Sequence, residues 1–275
     1  MVFISGNSMT ENLISTLNHD RLTAFLKTFP LAAMHCDTAE TANLLIIDAG
    51  GSGEPSHLLY RARTSGKLPA GVKLCAAARI DFGQTDNPLV AALPDEICFS
   101  MADMPQLRGL TQLLIAENDT MRCGGNTIRA HLCEIVVVLA IRQAIATGTV
   151  GGGLLAGLAH PKLYLSLIAM HDKPERNWKI ADLSAIAGLS RAQYIEVFRK
   201  IVGQPPAAYL TTWRLSLGRA RLKSGYSVKS VAAMVGFGSA VAFSRAFSRK
   251  FGYPPGMDKS SVRVFQPPGW TALRS

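Results

Sequence analysis

The sequence predicts an α+β chain, with a mixed N-terminal half of short strands and helices followed by an all-α domain that carries the same helical pair twice. Three observations predict it. A nine-position string recurs between residues 183 and 255, net positive charge is found only in the C-terminal part of the chain from residue 171, and the N-terminal half alternates short apolar runs with Gly, Pro and Asp.

Taken in order, residues 11–29 suggest a helix, Ala42–Asp48 (ANLLIID) a buried strand, and residues 58–101 further strands between turn residues. Asn126–Ile145 reads as a long helix with Ile128, Leu132, Ile135, Val136, Leu139 and Ala140 apolar. That is more than a one-sided helix needs. One face is expected to meet its own domain and another a second subunit, as in a homodimer, the alternative being a core helix buried on all sides in a monomer. Thr147–Gly153 is uncharged and glycine-rich, the composition of a flexible hinge.

The repeat defines the rest. Leu183, Ala187, Gly188, Ser190, Tyr194, Phe198, Gly203, Pro205 and Pro206 match Val231, Val235, Gly236, Ser239, Phe243, Phe247, Gly252, Pro254 and Pro255 in type and order. Each copy reads as a short helix ended by glycine, then a second helix whose N-cap is Ser190 or Ser239. Tyr194, Phe198 and Ile201 line the inner face of the first copy, and Phe243, Phe247 and Phe251 that of the second. Arg191, Ile195, Arg199 and Lys200 face outward in one, and Ser244, Arg245, Ser248, Arg249 and Lys250 in the other. A capped helix with a cationic outer face after a glycine turn is the pattern of a helix-turn-helix. Between the copies, Pro206–Ser224 reads as one amphipathic helix with Arg214, Arg219, Arg221 and Lys223 on its polar side.

Charge agrees with this division. Residues 1–170 hold 12 Lys/Arg against 14 Asp/Glu, and residues 171–275 hold 17 against 5. A basic third of this kind fits a polyanionic partner. With 48% hydrophobic and 17% charged residues, the chain is neither disordered nor collagen-like. Its longest uninterrupted apolar run, Ile135–Ile141, is far below the ~20 residues of a bilayer-spanning helix. No signal or transit peptide is visible, so the expected location is the cytoplasm, without a membrane partner.

The stretch WKIADLSAIAGLSRAQYIEVFRKIVGQPPAAYLTTWRLSLGRARL, followed by SVAAMVGFGSAVAFSRAFSRKFGYPP, resembles the AraC/XylS transcription regulators across about residues 160–258. RIDFG at 79–83, NPLVAALPDEICF at 87–99 and RCGGNTIRAHLCEIVVVLAIR at 122–142 resemble the cupin-like sensor half of one AraC subgroup. The resemblance implies a small, partly degenerate cupin-like β-barrel with dimerisation helices over residues 1–146. A Gly-rich linker at 147–158 would join it to a DNA-binding domain at 159–260, with helix-turn-helix units at about 180–201 and 228–251 and a tail at 261–275. Family members close with a Tyr-Arg pair where this chain has Gly256, Met257, Asp258 and Lys259, which argues against the usual last helix.

The positions the family uses to read bases fall on Ala192, Ile195 and Glu196 and on Ala240, Val241 and Arg245. Among these, an arginine can bond two acceptors of guanine, whereas Ala and Val can only touch a thymine methyl. Glu196 can accept from cytosine N4 or pair with a neighbouring arginine. Arg191, Arg199, Lys200, Arg249 and Lys250 suit phosphates, which position the protein without selecting sequence. The implied partners are promoter DNA, a second subunit, an effector that is a small molecule or an oxidant, and RNA polymerase if the protein activates.

Five cysteines without a CxxC pair suit packing in a reducing compartment, although Cys75 and Cys123 are candidates for redox sensing, Cys123 because it follows Arg122. The histidines have no metal-ligand spacing, so neither metal nor cofactor is expected, nor any catalytic residue. Gly151–Gly153 lacks the Lys-Ser/Thr of a phosphate loop. Two rival functions remain, a small-barrel enzyme with a basic accessory domain and a sequence-tolerant architectural DNA binder.

Overall fold

The computed structural model describes residues 22–29, 31–63, 66–82, 87–119, 122–147 and 152–261. The chain divides into two compact units. One comprises residues up to 172 together with 178–209, and the other 173–177 with 210 onward.

The first unit is built on a five-stranded sheet in which every recorded pairing is antiparallel. The strands are β1 (Ala32–Cys36), β2 (Leu44–Asp48), β3 (His57–Arg61), β4 (Lys73–Asp81) and β5 (Glu96–Ser100), in the spatial order β1-β4-β2-β3-β5. Its centre is β2, which explains the unbroken apolar run of Leu44–Ile47: both its faces are buried. A row of side chains, Cys36, Ala77, Leu45, Leu59 and Cys98, crosses one face from edge to edge. Opposite β2 the register slips between Ile46 and Ile47, and Cys75 is the extra residue of this bulge. The sequence pattern of strands gave no sign of β1, whose alternation is weak and whose Met34 is 59% exposed.

The expected small barrel is an open sheet here. Among the described residues β1 and β5 form its two edges, and five short strands are too few to close around an interior of ligand size. Helix α1 (Thr23–Thr28) is the only described part of the helix expected over 11–29, since residues 11–21 lie outside the described ones. Helix α2 (Pro88–Ala92) starts with a proline behind the cap Asn87, whose side chain accepts from Leu89 N. Helices α3 (Pro105–Asp119) and α4 (Gly125–Thr147) pack together, and α4 also lies against β1 and β4.

By length and composition alone, α4 could cross a bilayer, which counting only its longest uninterrupted run overlooks. One side of it is packed into the domain and another is open. Leu132, Cys133, Val136, Val137, Ala140 and Ile141 are buried, while Ile128 and Ile135, expected in the same apolar set, are 41% and 48% exposed.

The described C-terminal part of the segment expected as a glycine-rich linker at 147–158 is helical. Thr147 ends α4, residues 148–151 lie outside the described ones, and Leu154–Ala159 forms α5. Leu154, Leu155 and Leu158 are buried, which holds this helix in the core. Gly157 lets it approach closely, because a Cβ there would lie 2.7 Å from Leu167 Cδ1 and 2.9 Å from Val202 Cγ2. Helix α6 (Leu163–Asp172) follows, and α7 (Ile180–Ile186) and α8 (Arg191–Val202) complete this unit with the first turn of α9 (Pro206–Lys223).

The second unit contains the remainder of α9, then α10 (Val228–Met234), α11 (Ala240–Phe251) and a 3-10 turn at Pro255–Ser261. The last helix that the Gly256–Lys259 departure argued against is this turn. Asp258, 6% exposed, anchors it by accepting from Arg219 Nε at 3.3 Å and from the Tyr253 hydroxyl at 3.2 Å. Most of the tail, residues 262–275, lies outside the described residues.

Candidate nucleic-acid interface

Both copies of the repeat fold as a short helix, a left-handed glycine and a Ser-capped helix. Gly188 and Gly236 have φ of 61° and 79°, a conformation that side chains with a Cβ rarely adopt. Ser190 Oγ accepts from Gln193 N at 3.3 Å, and the Gln193 side chain accepts from Ser190 N, a reciprocal capping box. Ser239 Oγ accepts from Ala242 N at 3.1 Å. Gly203 and Gly252, both left-handed, end α8 and α11.

The inner faces carry the packing. Tyr194, Phe198, Phe243 and Phe247 have no exposed surface, so burial of these rings fixes which side of each helix faces out. The inner row of α8 continues to Val202 rather than to Ile201, which is half-buried; a step of four residues from Phe198 follows the helical pitch more closely than three. Phe251 at the end of α11 is likewise half-buried.

In the first unit this core is polar at its centre. The Tyr194 hydroxyl lies 3.2 Å from Ser166 Oγ, and His171 Nε2 lies 2.6 Å from the Tyr209 hydroxyl. Burial lowers the His171 pKa to about 3. The Phe25 ring of α1 stands edge-on to His171 at 4.6 Å. Neither Ser166 nor His171 was read from the sequence as a core residue; the one available signal was their spacing among apolar residues.

The residues expected to meet DNA lie on the outer faces. Ser190, Arg191, Ala192, Ile195, Glu196, Arg199 and Lys200 are exposed on α8, and the last five of the set other than Arg191 line one groove. On α11, Ser239, Val241, Arg245, Arg249 and Lys250 are exposed and Ala240 is half-buried. Ile195 and Val241 are 41% and 60% exposed on these faces. Among the described residues, none of the charged side chains in these two sets forms an ion pair. Glu196 thus has no arginine partner, and that alternative is set aside.

Two arginines of α9 expected on a polar face are instead structural. Arg214 donates to the carbonyl oxygens of Pro174 and Arg176, and Arg219 pairs with Asp258. At the candidate redox positions, burial and the nearby Asp48 carboxylate push the Cys75 thiol up, away from the reactive thiolate. Cys123 is exposed, and the Arg122 guanidinium beside it lies 3.7 Å from Glu117. Among the described residues no three His, Cys, Asp or Glu side chains gather as metal ligands do.

Comparison with known proteins finds a cupin family model matching residues 28–146 and a helix-turn-helix domain model matching residues 183–259. A putative AraC-like transcription regulator of Streptomyces lividans is 40% identical over 180 residues, which are 64% of this chain and 59% of that protein. The RCS-specific HTH-type transcriptional activator RclR of Escherichia coli is 31% identical over 162 residues, 58% of this chain and 57% of that one. The matched region therefore spans less than two thirds of either relative. Among solved structures, the DNA-binding domain of AdpA in complex with a target DNA is 31% identical and covers 38% of this chain and 95% of its own, with a TM-score of 0.33.

Proposed function

Because the chain carries the cupin and helix-turn-helix domains of the AraC-type transcription regulators, we propose that it is a sequence-specific DNA-binding regulator that activates transcription under control of its N-terminal half. Helices α8 and α11 are its recognition helices, one from each of two helix-turn-helix units. The observation that carries this reading is the contrast between their faces, with the rings of Tyr194, Phe198, Phe243 and Phe247 wholly buried inside and cations free of ion pairs outside. Such cations release counterions from phosphates and make affinity fall with salt.

Arg245 reads a guanine, since its guanidinium is exposed in the second turn of α11 and can bond N7 and O6 together. Arg191, Arg199, Lys200, Arg249 and Lys250 hold phosphates. A second subunit covers the exposed Ile128 and Ile135 of α4 together with Leu113 of α3. RNA polymerase is the further partner of an activator in the cytoplasm. The effector, a small molecule or an oxidant, shifts the population of DNA-competent dimers. Support for a route to DNA comes from α5, which packs on both α4 and α8, and from Gly153 N, which donates to Ile201 O at 3.0 Å.

Footprinting of the full chain on its promoter, with Arg245→Ala and Lys200→Ala beside it, tests the assignment. Arg245→Ala is expected to weaken operator binding about tenfold more than random-DNA binding. Lys200→Ala is expected to weaken both alike and to reduce the salt dependence. Equal losses on both DNAs for Arg245→Ala overturn its role, and the absence of any protected site overturns the regulator.

A further inference from the structure

One carboxylate stands in the outer groove of α8. Glu196 shares it with Ala192, Ile195, Arg199 and Lys200. Arg199 and Lys200 follow at three and four residues, the spacings at which helical ion pairs form, and Glu before Lys is the favoured order. Even so, Glu196 pairs with neither. A free negative charge on a surface that meets a polyanion opposes binding to every duplex unless something on the duplex bonds it.

We propose that Glu196 is a specificity-determining residue that admits a cytosine and excludes other bases at one position of the first half-site; this rests on α8 being a DNA-reading helix. An ionised carboxylate only accepts hydrogen bonds. In the major groove guanine offers two acceptors and thymine an acceptor beside its methyl group, so both repel it. In the paired duplex the adenine N6 donor lies between its own N7 and the O4 of thymine, two acceptors, whereas the cytosine N4 donor has an acceptor on one side only, the O6 of its guanine. Cytosine is therefore the base that satisfies the carboxylate at least electrostatic cost. The methyl groups of Ala192 and Ile195, exposed on the same groove, add no competing donor or acceptor.

Exclusion by charge makes a different prediction from attraction by charge. Removing the carboxylate should improve binding to most sequences while erasing a preference. The test is selection of binding sites from a random duplex pool by the full chain at fixed salt, repeated with Glu196→Gln and Glu196→Ala, each first checked for an unchanged unfolding midpoint. Both variants are expected to lose one cytosine from the selected motif, with the rest unaltered. Discrimination at that base pair should fall about tenfold or more, and affinity for random duplex should rise severalfold. A motif identical in wild type and both variants, or random-duplex affinity that falls with the substitution, overturns the role of Glu196 alone. A wild-type selection that yields no motif overturns the DNA-reading helix itself.

Discussion

The two helical pairs share their framework and differ in their surroundings. Each has the same left-handed glycine, the same serine cap and the same two inner rings at four-residue spacing, because backbone geometry demands these at fixed offsets. Around Gly188 there is open space, whereas a Cβ on Gly236 would lie 2.7 Å from Glu175 Cα and 2.8 Å from its carbonyl oxygen. The first core holds two tyrosines, a histidine and a serine in hydrogen bonds, while the second packs Phe237, Phe243, Phe247 and Phe251 against one another. Repetition preserved what the chain needs to turn and cap, and the neighbours decided the rest.

The largest expected effect breaks the equivalence of the two glycines. In Gly188→Ala the cost is the left-handed conformation alone, about 1–2 kcal/mol. In Gly236→Ala a collision with fixed backbone is added, bringing the cost to about 3–4 kcal/mol. Hydrogen exchange resolved along the chain checks this, since protection should collapse over residues 228–251 in the second variant and decline only modestly over 180–201 in the first. Equal losses would mean that the Glu175 segment yields to the new methyl group.

The second effect depends on pH and belongs to the first pair. His171 stays neutral in the fold because burial lowers its pKa from 6.5 to about 3, whereas the unfolded chain protonates below 6.5. The unfolded state therefore binds more protons between those values, and stability is lost as pH falls through 6.5 toward 3. At pH 5.5 the loss is about 1.4 kcal/mol. Protection over residues 180–201, corrected for intrinsic exchange, should fall about tenfold between pH 7.5 and 5.5, while residues 228–251, whose core contains no histidine, keep theirs. In His171→Gln the difference should vanish.

The same contrast explains how much of the molecule was legible. Turn glycines, serine caps and the spacing of Tyr194, Phe198, Phe243 and Phe247 obey local rules, so both pairs and their outer faces could be read directly. The central strand β2 was legible from its apolar run. Strand β1 was not, because an edge strand with Met34 facing solvent has no alternation to betray it. The glycines at 151–153 read as a hinge, yet Gly157 serves close packing and Leu154, Leu155 and Leu158 bury α5, contacts that exist only in three dimensions. Arg214, Arg219 and Asp258 became structural for the same reason: their partners are 38 to 40 residues away in the chain.

The smallest effect sharpens the comparison of the cores. Tyr194 and Phe243 occupy matching positions, and these two side chains differ only by the Tyr194 hydroxyl. In Tyr194→Phe the contact to Ser166 Oγ is lost, but Ser166 still donates to the Leu163 carbonyl at 2.7 Å, so no buried group is orphaned. The expected cost is about 1 kcal/mol, with DNA affinity unchanged because the outer face does not move. The reverse change, Phe243→Tyr, places a hydroxyl in a wholly apolar cluster beside Gly218, where a Cβ would already lie 2.7 Å from the ring. Its cost should exceed that of Tyr194→Phe by about 1–3 kcal/mol, since the new hydroxyl is desolvated without a partner. Exchange protection measured on both variants decides the matter: losses of equal size would show that the second core contains a polar partner within reach of position 243.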